Sequence, residues 1–457
     1  MDPVLLSRLQ FAFVIAFHIL LPAFTVGLSA FIVVLEGLHV WKRDETYLRI
    51  SAFWTRIFAV SFGMGVVSGI VMPFQIGANW SRYSDAVADV LGPLFAYEAM
   101  VAFFLEAGFL GILLFGRKLV PPWAHFFAAV MVAAGTLFSA FWILSANSWM
   151  QTPAGYAVVE GRFVPATWLA LVFNPSFPYR LTHTVTAFFV TTGFAVLGVA
   201  AWHLKRASHV PESRRMLGMT LALLVLLVPL QVVLGDLHGV NTVEHQPIKV
   251  AAMEGLWQTQ SRVPAVLLGW PDEAAERNRF EVAIPALASL YLKHDVNATV
   301  QGLTSVPPED RPPVVPVFVA FRVMVGLGLL MLALVAWGAV LHLRGRLFES
   351  RRFLTACTVM TPAGFVAVLA GWTVTEVGRQ PWVVYGLLRT RDAVSPSLTT
   401  VDVATSLALY VLVYLVVFGA GIFYMMRLAR EGPPAHVDIR DARLGERPAR
   451  PLSGARS

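Results

Sequence analysis

The chain has 457 residues, 57% of them hydrophobic and 14% charged, with a mean hydropathy of +0.66. That composition excludes a soluble domain and describes a protein that crosses a membrane many times. The net charge of +7 sits in short segments between apolar runs, which reads as a topology signal and not as a nucleic-acid surface, and the lone Cys357 leaves no intramolecular disulfide or cysteine-based metal site to be built.

Asp2 and Arg8 precede the first apolar run with no small-residue cleavage site, so the first span is expected to be retained. Nine stretches are long enough for a span of about 20 residues. They run Phe13 to Val40, Phe53 to Ile76, Leu94 to Phe115, Ala124 to Trp149, Val185 to Leu204, Leu217 to Leu237, Val317 to Leu343, Phe353 to Val377 and Val403 to Met426. The expected fold is therefore an all-α polytopic membrane protein with nine transmembrane helices. Lys42, Arg43, Arg49, Arg117, Lys118, Lys205, Arg206, Arg214, Arg215, Arg344, Arg346, Arg351, Arg352 and the arginines from Arg427 onward fall on one side. The sparser basic residues of the other side, Arg8, Arg82, Arg162, Arg180, Arg379, Arg389 and Arg391, place the N-terminus in the periplasm and the C-terminus in the cytoplasm.

Two outer segments are long for connectors. Met150 to Arg180 is rich in Pro and Gly, and Asp236 to Pro316 carries enough charges and amides to be an element folded over the outer surface. The expected organisation is a membrane domain over 1–430, including an outer loop at 236–316, followed by a disordered cytoplasmic tail at 431–457, rich in Pro and Arg and suited to anionic lipid headgroups.

Polar residues inside these spans need a reason, because a carboxylate within apolar membrane costs roughly 2.5–3.5 kcal/mol. Gly371 to Trp382 closes the eighth span with Glu376 and Arg379, which by themselves could be a helix-end ion pair stopped by Pro381. The topology places His18, Glu98, His183, Met324 and Glu376 in one leaflet, the outer one. Imidazole with thioether makes a six-coordinate haem that passes electrons without binding oxygen, which suits His183 with Met324. A single His or carboxylate leaves a coordination position for a gas, which suits His18, Glu98 and Glu376. Arg322 and Arg379 could pair with propionates, and Trp372, one turn from Glu376, could pack between macrocycles. Each has a plainer reading as a helix contact, a packing residue or an interfacial tryptophan; their joint placement favours a redox site.

Glu106 lies about 12 Å deeper than Glu98 along the third span, so the two carboxylates read as proton stations. In the outer loop, Lys249 could donate to a quinone carbonyl and Glu254 could accept a quinol proton, although solvated loop charges would look the same in sequence.

Taken in order, Ser7-Arg8-Leu9-Gln10-Phe11 leading to His18, Phe74-Gln75-Ile76-Gly77-Ala78-Asn79-Trp80-Ser81, the stretch from Glu98 to Glu106, Asn147-Ser148-Trp149-Met150-Gln151 and Gly378-Arg379-Gln380-Pro381-Trp382 give a specific resemblance. The chain resembles subunit I of the bacterial cytochrome bd-type quinol oxidases over nearly its whole length. The resemblance implies His183 and Met324 as axial ligands of a low-spin haem b beside Arg322, and His18 and Glu376 as ligands of a high-spin haem b and of haem d or a further haem b in its place. It implies Glu98 near the oxygen site, Glu106 on a proton route, Lys249 and Glu254 at the quinol site, and Trp372 between haems with Arg379 nearby. The outer loop matches the short-loop branch, which includes cyanide-insensitive oxidases. Expected partners are quinol, oxygen, the lipid of a bacterial inner membrane and a membrane subunit II, with room for a small single-span subunit, and no nucleic acid. A membrane cytochrome that never meets oxygen, or a cofactor-free transporter, would use the same acidic residues differently.

Overall fold

The computed structural model describes residues 2–437. Nine helices among the described residues are long and apolar enough to cross a membrane: Pro3–Lys42, Glu45–Asn79, Ser81–Lys118, Pro122–Gln151, Phe177–Lys205, Val210–His245, Val314–Leu343, Arg351–Val377 and Thr400–Glu431. They are referred to below as the first to ninth helices. Each extends past its apolar stretch, and the first, second, eighth and ninth begin on side-chain caps. Asp2 accepts from the Val4 amide, Asp44 from the Thr46 amide at 2.8 Å, and Thr399 with Asp402 forms a reciprocal capping box at the start of the ninth helix.

Two helices are irregular. The third carries a π-helical turn at Glu98–Phe103 and closes in a 3-10 turn at Gly116–Lys118. The eighth is interrupted between Arg351–Val359 and Ala363–Val377, where Pro362 lacks the amide a continuous helix needs.

The fifth helix is the most enclosed and the ninth the least. The largest core cluster joins Leu28, Ile32, Phe58, Phe194, Leu224, Leu334 and Phe353 from six helices, and Leu113, Ala129 and Leu428 bring in the third, fourth and ninth. Close approach at its centre depends on glycine: Gly364 lies against Thr191, and Gly27 against Thr192, whose hydroxyl donates to the Phe24 carbonyl at 2.9 Å.

The sixth helix runs on to His245, so the long connector occupies 246–313 and not the expected 236–316. The reason is that the residues after Leu237, although polar, keep helical backbone against the fifth helix. The connector folds as a helix Pro247–Glu254, a hairpin of Ala265–Asp272 with Arg277–Ile284, and a short helix Leu287–Lys293. Its own apolar core, including Val250, Ala251, Leu256, Val263 and Leu303, is continuous with Val317 and Val374 of the seventh and eighth helices. The segment before the fifth helix forms a hairpin, Tyr156–Val159 with Arg162–Pro165, and a short helix Trp168–Val172. Of the tail expected at 431–457, residues 438–457 lie outside the described residues, and Glu431 still belongs to the ninth helix.

At the end of the bundle opposite the first helix's start, a buried set of ion pairs ties five helices. Glu36 takes hydrogen bonds from Ser51, from Arg117 at 2.8 Å and from the His125 ring at 3.1 Å, while Arg49 binds Glu212 at 2.8 Å. Breaking a buried pair leaves an uncompensated charge, so Glu36→Leu should destabilise the protein by about 3–5 kcal/mol, measured as a fall in thermal unfolding temperature in detergent.

Candidate functional site

The other end of the bundle, where the first helix starts, gathers the polar residues singled out above. Glu376 ends the eighth helix and faces the fourth: its Oε1 accepts from Asn147 Nδ2 at 3.0 Å and Gln151 Nε2 at 3.3 Å, while Oε2 pairs with Arg379. The turn after Glu376 folds back so that Arg379 also donates to the Trp382 carbonyl at 3.3 Å. Trp372, one helical turn before Glu376, is half-buried, and its Nε1 has no partner.

Lys249 belongs to the same network. From the connector helix its Nζ donates to Gln151 Oε1 and to Gln246 Oε1, both at 2.6 Å. Gln151 therefore touches Lys249 through its oxygen and Glu376 through its nitrogen, and one amide joins the connector to the eighth helix. Gln246 fixes that orientation by donating to Gln151 Oε1 and to its carbonyl, each at 3.1 Å. Burial first, then Arg180 and Arg379, push the Lys249 ammonium well below the usual lysine range, with Glu376 opposing.

Glu254 does not share this pocket. Five residues beyond Lys249, it lies about 140° around the connector helix, and it turns to other partners. Its carboxylate is buried, 3.9 Å from Arg322, and bonded to the Tyr291 hydroxyl, with Oε1 unpartnered. Burial raises the Glu254 carboxyl above the usual carboxylate range, partly offset by Arg322 and Tyr291; burial and Glu254 raise the Tyr291 hydroxyl in turn. Arg322 clamps the connector to the seventh helix, donating to Met253 O at 2.5 Å, Val266 O at 2.6 Å and Phe318 O at 3.1 Å while lying over the Phe318 ring. Its Nε has no partner.

Two residues along, Met324 presents its sulfur to the eighth helix, where a side chain at Gly371 would begin 3.0 Å from Sδ. His183 lies one turn inside the fifth helix, half-buried, with the Gln231 amide nitrogen 3.2 Å from Nδ1 and the His238 ring 5.5 Å away. Gly235 leaves the space beside the His183 ring open.

His18 lies deeper. Its Nδ1 is 2.9 Å from Ser68 Oγ, and the Ser68 hydroxyl is in place to donate to the carbonyls of Met64 and Gly65. A hydroxyl has one proton to give, so this set assigns the ring proton to His18 Nδ1 and leaves the Nε2 lone pair for a metal. Glu98, in the π turn, accepts from Ser139 at 2.8 Å, and Glu106 packs against Gly135, one turn further along the fourth helix. Measured from the Gln151 end of the fourth helix, Glu376, Glu98 and Glu106 meet it at depths of about 6, 18 and 24 Å.

The structure thus joins Lys249, Glu376 and Arg379, joins Glu254 with Arg322, and sets Glu98 above Glu106, while Lys249 and Glu254 diverge. Sequence reasoning missed Gln151, Asn147 and Gln246 as site residues, although the first two stand in a motif it had noted. It also missed Arg180, read as an outer loop charge, and His238, assigned to the loop. A helical spacing of three between Arg180 and His183 was the available signal. The motifs near the chain start meet as well: Asn79 donates to Gln10 at 2.7 Å.

Gln151→Leu should leave Lys249 and Glu376 each short of a partner and cost about 1–3 kcal/mol for each buried group. Adding Lys249→Met should recover part of that loss in a double-mutant cycle of thermal unfolding.

Comparison with known proteins gives one family. The cytochrome bd terminal oxidase subunit I family matches residues 6–433. The chain is 34% identical to cytochrome bd ubiquinol oxidase subunit 1 of Bacillus subtilis (strain 168), over 94% of each chain. It is 32% identical to cytochrome bd-II ubiquinol oxidase subunit 1 of Escherichia coli (strain K12), covering 95% of this chain and 98% of that one. The solved structure of bd oxidase from Geobacillus thermodenitrificans superposes with a TM-score of 0.87 at 30% identity, covering 94% of this chain and 99% of the other. With its nine apolar helices, its half-buried histidines and its carboxylates beneath a folded connector, the chain belongs to the cytochrome bd terminal oxidase subunit I family.

Proposed function

We propose that this chain is the haem-bearing subunit of a quinol:oxygen oxidoreductase in the bacterial cytoplasmic membrane, working with a subunit II. The observation that carries the reading is the convergence of His183, Met324, Glu376 and the connector residues Lys249 and Glu254 at one end of the bundle, with His18 and the Glu98–Glu106 pair beneath. The basic segments at the opposite end support a periplasmic site.

Unpartnered donors suit an anionic macrocycle. Arg180 Nε, Arg322 Nε, Arg379 Nη1 and Trp372 Nε1 are all enclosed without an acceptor, and Gly371 keeps the Met324 sulfur clear. His183 and Met324 would hold a low-spin haem b. His18 and Glu376 would hold the other two haems, a high-spin haem b and either haem d or a further haem b. Haem bound there supplies one-electron transfer and, where a coordination position is open, the binding and reduction of oxygen.

The protein's own groups manage protons and position. Glu254, held close to Arg322 and Tyr291, takes a quinol proton and returns it to the periplasm. Lys249 reaches a quinone carbonyl on giving up one of its two amide acceptors. Glu106 and Glu98 pass protons from the cytoplasmic side toward the oxygen site. Protons released on one face and consumed from the other make a gradient without a pump, worth about 2.3 kcal/mol per charge per 100 mV.

The test is a reduced-minus-oxidised absorption spectrum of the purified complex with and without carbon monoxide. Haem b bands with a carbon monoxide shift are expected, a far-red band distinguishing haem d from a further haem b. Haem bands indifferent to carbon monoxide would make this a cytochrome that does not reduce oxygen, and an unpigmented complex would overturn the haem reading.

Glu254 must be ionised to accept a proton, so quinol oxidation should fall as pH drops through a value above the ordinary carboxylate pKa of about 4.3. The Tyr291 bond favours the ionised form, so Tyr291→Phe should move that acid limb to higher pH. A limb that stays in place in the pH–rate profile would remove Glu254 from the proton step.

A further inference from the structure

Around Glu376 the buried charges do not balance. Arg180 is 5% exposed and Arg379 also 5%, and both interact electrostatically with Glu376, the one carboxylate to which this cluster answers. Arg379 already pairs with it. Lys249, likewise buried, feels both arginines as like charges.

Arg180 is the odd member. Its guanidinium makes no side-chain hydrogen bond among the described residues, and its Nε is fully enclosed without a partner. A guanidinium cannot shed its proton, so leaving it unpaired in a low-dielectric interior costs several kcal/mol unless an anion arrives. The side chain lies one helical turn from His183 and is close enough to His183 and His238 to act on both electrostatically. His238 Nε2 is a second enclosed nitrogen without a partner. The site thus offers planar, fixed donors and surplus positive charge, which is the chemistry that takes a carboxylate in a bidentate bond.

We propose that Arg180 binds a haem propionate at the junction between the His183 and Glu376 sites. This rests on the haem reading above. The carboxylate could belong to either haem, and Arg180 is a positioning residue: it neutralises the propionate and fixes the macrocycle's edge next to the network of Gln151 and Lys249.

The experiment is redox-difference infrared spectroscopy of the intact purified complex carrying haem with ¹³C-labelled propionates, on wild type, Arg180→Gln and Arg180→Lys, with a parallel spectral redox titration. A labelled carboxylate band should shift in Arg180→Gln and shift less in Arg180→Lys, which keeps the charge but loses the planar fork. The midpoint potential of the affected haem should fall by about 59 mV, a tenfold change for a one-electron couple. A band shift that titrates with the low-spin haem assigns the propionate to the His183 site; one that titrates with a high-spin haem assigns it to the Glu376 site. Unshifted labelled bands in either variant, with haem retained, overturn the proposal even if the potential moves, since a charge at a distance would do that alone. If Arg180→Gln fails to assemble, Arg180→Lys decides by the same criterion. Absence of haem from the wild-type complex would sink the underlying reading instead and is seen before any variant is made.

Discussion

A guanidinium carried into a membrane protein's interior keeps its charge, and the arrangement around Glu376 follows from that constraint. Arg379 takes the carboxylate, and the amides of Asn147 and Gln151 complete its coordination. Gln151 then has its oxygen free for Lys249, which in turn draws the connector helix down onto the bundle. Remove the buried charge and the amides have no common partner. The fourth helix, the eighth helix and the connector would then be joined by fewer polar ties, chiefly those from Gln246 to Gln151 and from Gln151 to the Thr375 carbonyl, beside apolar surface that sets proximity without setting register.

Arg322 plays the corresponding part on the far side of the connector helix. Its hydrogen bonds go to the carbonyls of Met253 and Val266 in the connector and of Phe318 in its own helix. The clamp brings Glu254 near the seventh helix just above Met324, so the place proposed for proton release and the place proposed for electron entry are set by one side chain. The divergence of Lys249 and Glu254 has the same origin: each end of a short helix is tied to a different arginine network.

The third helix shows how backbone irregularity serves chemistry. In a regular α-helix, Glu98 and Glu106 would lie about 80° apart. The wider π turn at Glu98–Phe103 unwinds part of that offset, and both carboxylates meet the fourth helix, at Ser139 and at Gly135. A π turn at such a site is in keeping with the general association of these distortions with function.

Apolar run length settled the nine spans from the sequence, because a span of this kind satisfies its backbone internally and needs no information from its neighbours. Composition likewise excluded a soluble fold, and an ordered set of short motifs carried the family resemblance. The residues His18, His183, Met324 and Glu376 could be placed at one end because helix direction alternates from span to span. Which side chains touch was decided only by tertiary structure. Gln151 stands far in sequence from both Lys249 and Glu376, and an amide carries no charge or periodicity that would mark it. Arg180 read as a loop cation until the fifth helix was seen to begin at Phe177, and His238 read as loop until the sixth was seen to reach His245. Sequence pattern fixes where a helix can cross a membrane; whether a buried charge finds its partner depends on rotation and depth between helices, which distant residues set together.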